Sequence, residues 1–418
     1  MNLREDAGKI IKSAIKSALP NTAVQKALKD EDFLNSLNSS NGKLVLIAIG
    51  KAAWSMAKAA SDILVDEIDQ GIVITKYQHS QGHLPNIKVY EAGHPVPDEN
   101  SFSATARAIE AVSDLSENDT VLFLVSGGGS ALFEMPLITH GELDDITNQL
   151  LSSGANIIEI NTIRKRLSAV KGGKFADLCQ PAQVYSIVLS DIIGDPLDMI
   201  ASGPAYPDSS TSEEALQIID KYKINLSDQA RTLLHKETPK ELHNVTTKVT
   251  GSVSQLCIAA EETCRQLGYK PFILTTSLSC EAREAGSFLG SIAEYYNNSN
   301  ESLAFIAGGE TVVQVKGNGL GGRNQEITLA AVQKLSKLDK VAIFSIGSDG
   351  TDGPTDAAGG YVDNKTKAIL DEKGIDIDKV LENNDSYNGL KECDGLIKTG
   401  PTGTNVNDLT VLLIRSGT

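Results

Sequence analysis

Glycine clusters, isolated cations and aspartates recur where apolar runs end, and those are the residue types that handle anions. Residues 121–130 read VLFLVSGGGS: five apolar residues lead into Ser126, Gly127, Gly128, Gly129 and Ser130. Glycine admits positive φ and lets another group approach the main chain. Free N–H groups in such a turn, flanked by two hydroxyls, form an anion cradle; a tight strand-to-helix turn explains the same residues. Lys51 follows the apolar run at 44–49 and stands at a second strand-to-helix turn. There its charge adds to a helix N-terminus that favours anions, with a solvated surface lysine as the alternative. Arg323 stands where the loop GNGLGG (317–322) meets a helix, placed to clamp a phosphate or carboxylate in two-pronged fashion. Gly317, Gly319 and Gly322 also satisfy G-x-G-x-x-G, the dinucleotide fingerprint, with Asp349 where a ribose-binding acid belongs.

Residues 161–174, NTIRKRLSAVKGGK, hold five cations and no acid. If they are helical, Arg164, Ser168 and Lys171 share one face, which either meets an anion or is solvated. Asp191, Asp195 and Asp198 follow a strand end at 185–189, and Asp349, Asp352 and Asp356 follow another. Asp191, Asp195 and Asp198 suit Mg²⁺, which takes one or two carboxylates with water and phosphate oxygens, and the later three read as a ligand-facing acidic loop; turn chemistry explains both sets as well. His94, in GHPVPDENS, is an acid/base candidate or a structural loop histidine. Asn324 beside Arg323, and Asn405 and Asp408 in TGPTGTNVND, complete the polar ligand candidates. The inventory suits phosphoryl transfer, which needs positioning and stabilisation of oxygen charge rather than covalent help. A Walker A sequence, a protein-kinase loop set, G-x-S-x-G and H-E-x-x-H are all missing.

The elements that position these residues alternate. Apolar runs at 44–49, 71–76, 87–91, 121–125 and 185–189 read as strands, with helices between them, so the first part is a doubly wound parallel sheet. The helix at 4–19 should pack on the main body and stop at Pro20. Residues 226–250 are weakly patterned and place the domain boundary. A second α/β run follows, including a strand at 311–316, a helix at 324–335 and last strands at 341–346 and 409–414. The 418 residues predict two domains. With 41% hydrophobic and 22% charged residues the chain is globular, and its net charge of −16 argues against general nucleic-acid binding. The five cysteines form no C-x-x-C and read as core thiols. No signal peptide or membrane span is legible, which points to the cytoplasm.

Together the segments IGKAAWSMA, GHPVPDENS, LVSGGGSALF, INTIRKRLSAVKGGKFA, LSDIIGDPLDMIASGP, GGETVVQVKGNGLGGRNQE, SDGTDGPTDAAGG and TGPTGTNVNDL resemble the glycerate kinase family whose C-terminal part is the MOFRL domain, the glycerate 2-kinases of archaea and bacteria. The resemblance implies ATP-dependent phosphorylation of D-glycerate to 2-phosphoglycerate with Mg²⁺ or another divalent ion, on an Entner–Doudoroff-type route. It implies a Rossmann-like domain over 1–240, an α/β domain over 241–418 with the MOFRL region at about 300–412, and an active site in the cleft between them. Lys51 and Arg323 match the family's functional lysine and arginine, and Asp191 or Asp349 would act on the metal or orient the glycerate hydroxyl. Ser126, Gly127, Gly128, Gly129, Ser130, Arg164, Lys171, Asn324, Asn405 and Asp408 are the substrate- and phosphate-binding expectations. Arg166 stands where many relatives carry His. A homodimer is a possible assembly, and no nucleic acid or membrane is expected as partner. The alternative is an NAD(P)H-dependent hydroxypyruvate reductase, which the G-x-G-x-x-G match invites.

Overall fold

A strand with no polar face needs cover on both sides, and LVLIAI has none. It forms β1 (Leu44–Ile49), buried at every residue. In the computed structural model, which describes residues 2–31, 33–34 and 42–416, β1 lies inside a six-stranded sheet. Its companions are β2 (Ile68–Lys76), β3 (Ile87–Ala92), β4 (Thr120–Val125), β5 (Gln183–Leu189) and β6 (Val245–Gly251), in the order β3-β2-β1-β4-β5-β6. The β2–β3, β1–β2, β1–β4 and β4–β5 pairs are parallel. The chain runs outward from β1 in one direction and from β4 in the other, so the strand order reverses between them. Open α/β sheets bind ligands outside the carboxyl ends of the strands at such a reversal. Ile49 pairs with Val125, so the loops that follow leave the sheet side by side.

The second sheet is mixed. It comprises β7 (Lys270–Leu278), β8 (Leu303–Gly309), β9 (Val341–Gly347), β10 (Gly359–Asp363), β11 (Leu396–Ile397) and β12 (Asp408–Ile414), ordered β11-β10-β9-β12-β8-β7. β12 runs antiparallel between β8 and β9, and β7 runs parallel to β8.

By contact the chain divides into Ala23–Ser190 with Asp195–Thr250, and Met1–Thr22 with Asp191–Gly194 and Gly251–Thr418. This contact division differs from the expected domains over 1–240 and 241–418 in two ways. β6 still belongs to the first sheet, which carries the boundary to Thr250. The helix Leu3–Ser17 belongs with the second sheet: its buried face, Ala7, Ile10, Ile11 and Ala14, joins a core with Leu256, Ile306 and Phe344. Asp6 on that helix accepts from Arg415 at 2.8 Å and from Tyr269 Oη at 2.8 Å, tying one chain end to the other. Pro20 does not simply stop a helix; it opens the next, Pro20–Leu28, where its missing N–H costs nothing.

Helix Arg323–Leu335, which carries Arg323 at its first residue, packs on helix Ala282–Tyr296. Their approach depends on Gly286, where a Cβ would lie 2.1 Å from the Ile327 carbonyl oxygen. No helix among the described residues is long and apolar enough to cross a membrane, and all five cysteines are free. Gly286→Val should therefore lower the unfolding free energy by about 1–3 kcal/mol through overpacking. Denaturant titration checks this; an unchanged midpoint would contradict the close helix contact.

Candidate functional site

The ends of β1 and β4 are stitched together through Ser126. Its N–H donates to the Ile49 carbonyl at 3.0 Å, its Oγ donates to the same oxygen at 3.1 Å, and that Oγ accepts from the Ala52 N–H at 3.1 Å. The Lys51 N–H donates to the Gly127 carbonyl at 2.9 Å. Gly50 sits at φ +109, where a Cβ would lie 2.3 Å from Ser126 Oγ. The expected hydroxyl wall of the cradle is thus spent on the stitch. Ser130 is likewise engaged: its Oγ is 3.0 Å from Ser202 Oγ, and its carbonyl accepts from Lys171 at 2.8 Å and Arg164 at 3.4 Å. Gly129 is a packing glycine, since a Cβ there would meet Ala201 Cβ at 2.6 Å.

Other groups at this strand end are uncommitted. Among the described residues, the exposed Lys51 ammonium, the N–H groups of Gly127 and Gly128, and both ring nitrogens of His94 have no hydrogen-bond or ion partner. The His94 ring and the Lys51 side chain border one spot: a Cβ on Gly128, which sits at φ +85, would be 3.1 Å from His94 Nε2 and 3.2 Å from Lys51 Cγ. Burial, with Lys51, Lys76 and His79 nearby, holds His94 below the usual histidine value.

The basic run turns inward. The helix ends at Leu167 with Ser168 extended, so Arg164, Ser168 and Lys171 do not share a helical face. Lys165 pairs with Asp208 at 3.0 Å, and Arg166 donates to Ser210 Oγ at 2.9 Å and to Glu237 at 3.3 Å. Lys174 donates to the carbonyls of Lys165, Arg166 and Ser168. Arg164 reaches Glu134 at 3.4 Å. Lys171 is fully buried, donating to the Ser130 and Phe133 carbonyls and lying 3.2 Å from Glu134. Burial lowers its pKa from 10.5 to about 8 against the pull of Glu134. In place of the expected anion-binding surface, these cations hold their own loops together.

The unit with the second sheet has a cavity of about 580 Å³ whose wall includes Arg323, Asp349, Asn405 and Asp408. Arg323 donates from Nε and Nη2 to the two Asp408 oxygens at 2.6 and 3.0 Å, and from Nη1 to Glu310 at 2.8 Å. Burial raises Asp408 to about 6, with Arg323 opposing. Asn405 is exposed in the wall. Asn324 offers nothing to a ligand: it is buried, donates to Asp352 at 3.2 Å and accepts from Ser345. Asp352 caps the helix by accepting from the Asn324 and Gln325 N–H groups at 3.1 and 2.9 Å. The expected strand at 311–316 is only a bridge between Val312 and Glu281.

The glycine-rich loop does not have the context of a dinucleotide fingerprint. The Lys316 and Gly317 N–H groups donate to Asn384 Oδ1, Gly319 to the Asn383 carbonyl and Leu320 to Asp385. A Cβ on Gly317 or Gly319 would strike the Asn383 oxygen at 2.3 or 2.5 Å. These glycines serve packing against 383–385, and their N–H groups face protein acceptors instead of a pyrophosphate.

Two polar groups in the cavity wall escaped sequence reasoning: Thr311 Oγ1 and Asn407 Oδ1 are buried without partners. Their neighbours in GGET and NVND were the available signal. Among the described residues no three or more His, Cys, Asp or Glu side chains are grouped to hold a metal. Asp349 still fits Mg²⁺ as a single carboxylate ligand, because only its Oδ1 is engaged, by the Thr351 N–H at 2.9 Å. Asp191 is half-buried just past β5 and has a partner of its own.

The family model described as "Domain of unknown function (DUF4147)" matches residues 6–235, and the MOFRL family model matches residues 303–408. The chain is 51% identical to D-glycerate 2-kinase of Thermotoga maritima, covering 99% of each chain. It is 43% identical to glycerate 2-kinase of Pyrococcus horikoshii, covering 100% of this chain and 98% of the relative. A crystal structure of glycerate kinase from Thermotoga maritima superposes with a TM-score of 0.91 at 50% identity, over 99% of both chains. Agrobacterium vitis proteins with a provisional hydroxypyruvate reductase name stand further off at 36%.

The inward reading of Lys171 has a pH signature. Between about pH 8 and 10.5 the unfolded chain holds a proton that folded Lys171 has released, so stability from this group rises with pH. Unfolding free energies of wild type minus Lys171→Met should increase across that window. A pH-independent difference would contradict a buried lysine.

Proposed function

The chain belongs to the MOFRL-type glycerate 2-kinase family, and from that premise we propose that it transfers the γ-phosphoryl group of ATP to the 2-hydroxyl of D-glycerate, giving 2-phosphoglycerate and ADP. The observation that carries the reading beyond kinship is the set of uncommitted donors where β1 and β4 end. The hydroxyl oxygen attacks phosphorus in line, and the bond to ADP breaks as the new one forms. Such a transition state spreads charge over the equatorial phosphoryl oxygens, and catalysis is chiefly positioning and charge stabilisation. Lys51 Nζ and the Gly127 and Gly128 N–H groups are suited to meet those oxygens. The stitch holds the backbone at Lys51 and Gly127 in advance, so that backbone needs little reorganisation.

Arg323 contributes differently. A guanidinium has five N–H donors; three of Arg323's are used on Asp408 and Glu310. Those bonds fix its plane, leaving one N–H on each terminal nitrogen for an anionic group in the cavity of its own unit. A bound Mg²⁺ would neutralise phosphate charge, with Asp349 and Asp191 as the residues to hold it. Cytoplasmic residence, a homodimer and a place on an Entner–Doudoroff-type route belong to the same proposal and rest on family resemblance.

³¹P NMR of the mixture formed from ATP and D-glycerate should show ADP and 2-phosphoglycerate; 3-phosphoglycerate or no new phosphate ester would overturn the assignment. Lys51→Ala should lower kcat by about 10²–10³-fold, the usual cost of one oxyanion-stabilising donor. An unchanged kcat/KM would remove Lys51 from the chemistry.

A further inference from the structure

We propose that His94 is the proton acceptor of this reaction: its Nε2 takes the hydroxyl proton of D-glycerate as the hydroxyl oxygen bonds to the γ-phosphorus. The inference rests on the glycerate kinase reading and adds a residue to it. The O–H bond breaks as the O–P bond forms, the P–O bond to ADP breaks with its electron pair leaving on ADP, and the proton ends on the imidazole, which passes it to water.

The argument is one of complementarity. The spot above Gly128 is bordered by the Lys51 side chain, whose Cγ is 3.2 Å away, and the unpaired donors of the same loops, the Lys51 ammonium and the N–H groups of Gly127 and Gly128, suit phosphoryl oxygens. A nucleophilic hydroxyl needs an acceptor as well. His94 Nε2 faces that spot, 3.1 Å from where a Gly128 Cβ would be, and neither ring nitrogen is spent on the protein. The hydroxyl and carboxylate groups here are occupied, and His79 is anchored through one ring nitrogen. Ser126 Oγ is used in the stitch, Thr75 Oγ1 donates to the Gly50 carbonyl at 3.0 Å, and His79 Nδ1 is 3.0 Å from the Lys51 carbonyl. Asp98, at the head of helix Glu99–Val112, is held by Tyr77 Oη at 2.6 Å and the Ser101 N–H at 3.0 Å.

The surroundings keep the ring in the form a base requires. Lys51 follows β1, Lys76 ends β2 and His79 lies in the next loop; partial burial first, and then these neighbours, disfavour the imidazolium of His94. The same cations help return the proton to water after transfer.

The test is the pH dependence of kcat/KM for wild type and His94→Gln, which keeps polar contacts but cannot accept a proton. Wild type should show an acid limb with an apparent pKa below that of an ordinary histidine. His94→Gln should lose that limb and about 10²-fold in kcat, with KM for D-glycerate and the thermal midpoint nearly unchanged; imidazole should restore part of the activity of His94→Ala. A wild-type profile without the acid limb, a variant that retains it, or a kcat within twofold of wild type would overturn the assignment. If wild type forms 2-phosphoglycerate, any of these results removes His94 alone. If it forms no phosphate ester, the kinase reading itself falls.

Discussion

The site depends on one local constraint, the locking of two neighbouring parallel strand ends by a single serine. Ser126 satisfies donors and acceptors of the β1 loop with its own N–H and Oγ, and Gly50 has no side chain because the hydroxyl occupies that space. Backbone polar groups at a sheet end normally find partners. Here the Ile49 carbonyl and the Lys51 and Ala52 N–H groups find their partners in residues 126 and 127, so the two loops hold one another, and the next N–H groups, of Gly127 and Gly128, are left unpaired among the described residues. The strand reversal puts the opening in the right place, and the serine keeps it rigid.

The same accounting explains how a chain of net charge −16 concentrates positive charge without displaying most of it. Cations between 164 and 174 are consumed by Glu134, Asp208, Glu237 and backbone carbonyls. Buried charges survive only when paired and hydrogen-bonded, and the dense bonding around Lys165, Arg166 and Lys171 meets that requirement. Lys51 stands outside this network. Arg323 lies between the two cases: it is paired with Asp408 and Glu310, yet lines the cavity with two N–H groups unspent.

Strands were the most legible part, because LVLIAI, VLFLV and VAIFSIG admit no polar face and all are buried in sheets. The doubly wound parallel sheet followed from alternation of strand and helix; the place of its reversal, between β1 and β4, came from the strand order. The purpose of individual polar residues was harder to read. Nothing between Leu167 and Lys171 announces that the helix ends, because the stopping interactions come from residues 130–135 and 202. The glycines of the 317–322 loop fit a dinucleotide pattern by spacing, but their cause lies at 383–385, far along the chain. The first helix looked like part of the first domain because it precedes it; its apolar face and Asp6 find their partners around 256–269 and at Arg415. Spacing identifies which residue types are available, and long-range partners decide which of them remain free.

That distinction between spent and free groups is open to direct observation at the backbone. Amide ¹H–¹⁵N spectra recorded while 2-phosphoglycerate is added should show saturable shifts at Gly127 and Gly128, with Gly317 and Gly319 unmoved. Shifts at Gly317 and Gly319 with Gly127 and Gly128 silent would contradict the placement of the anion site at the ends of β1 and β4.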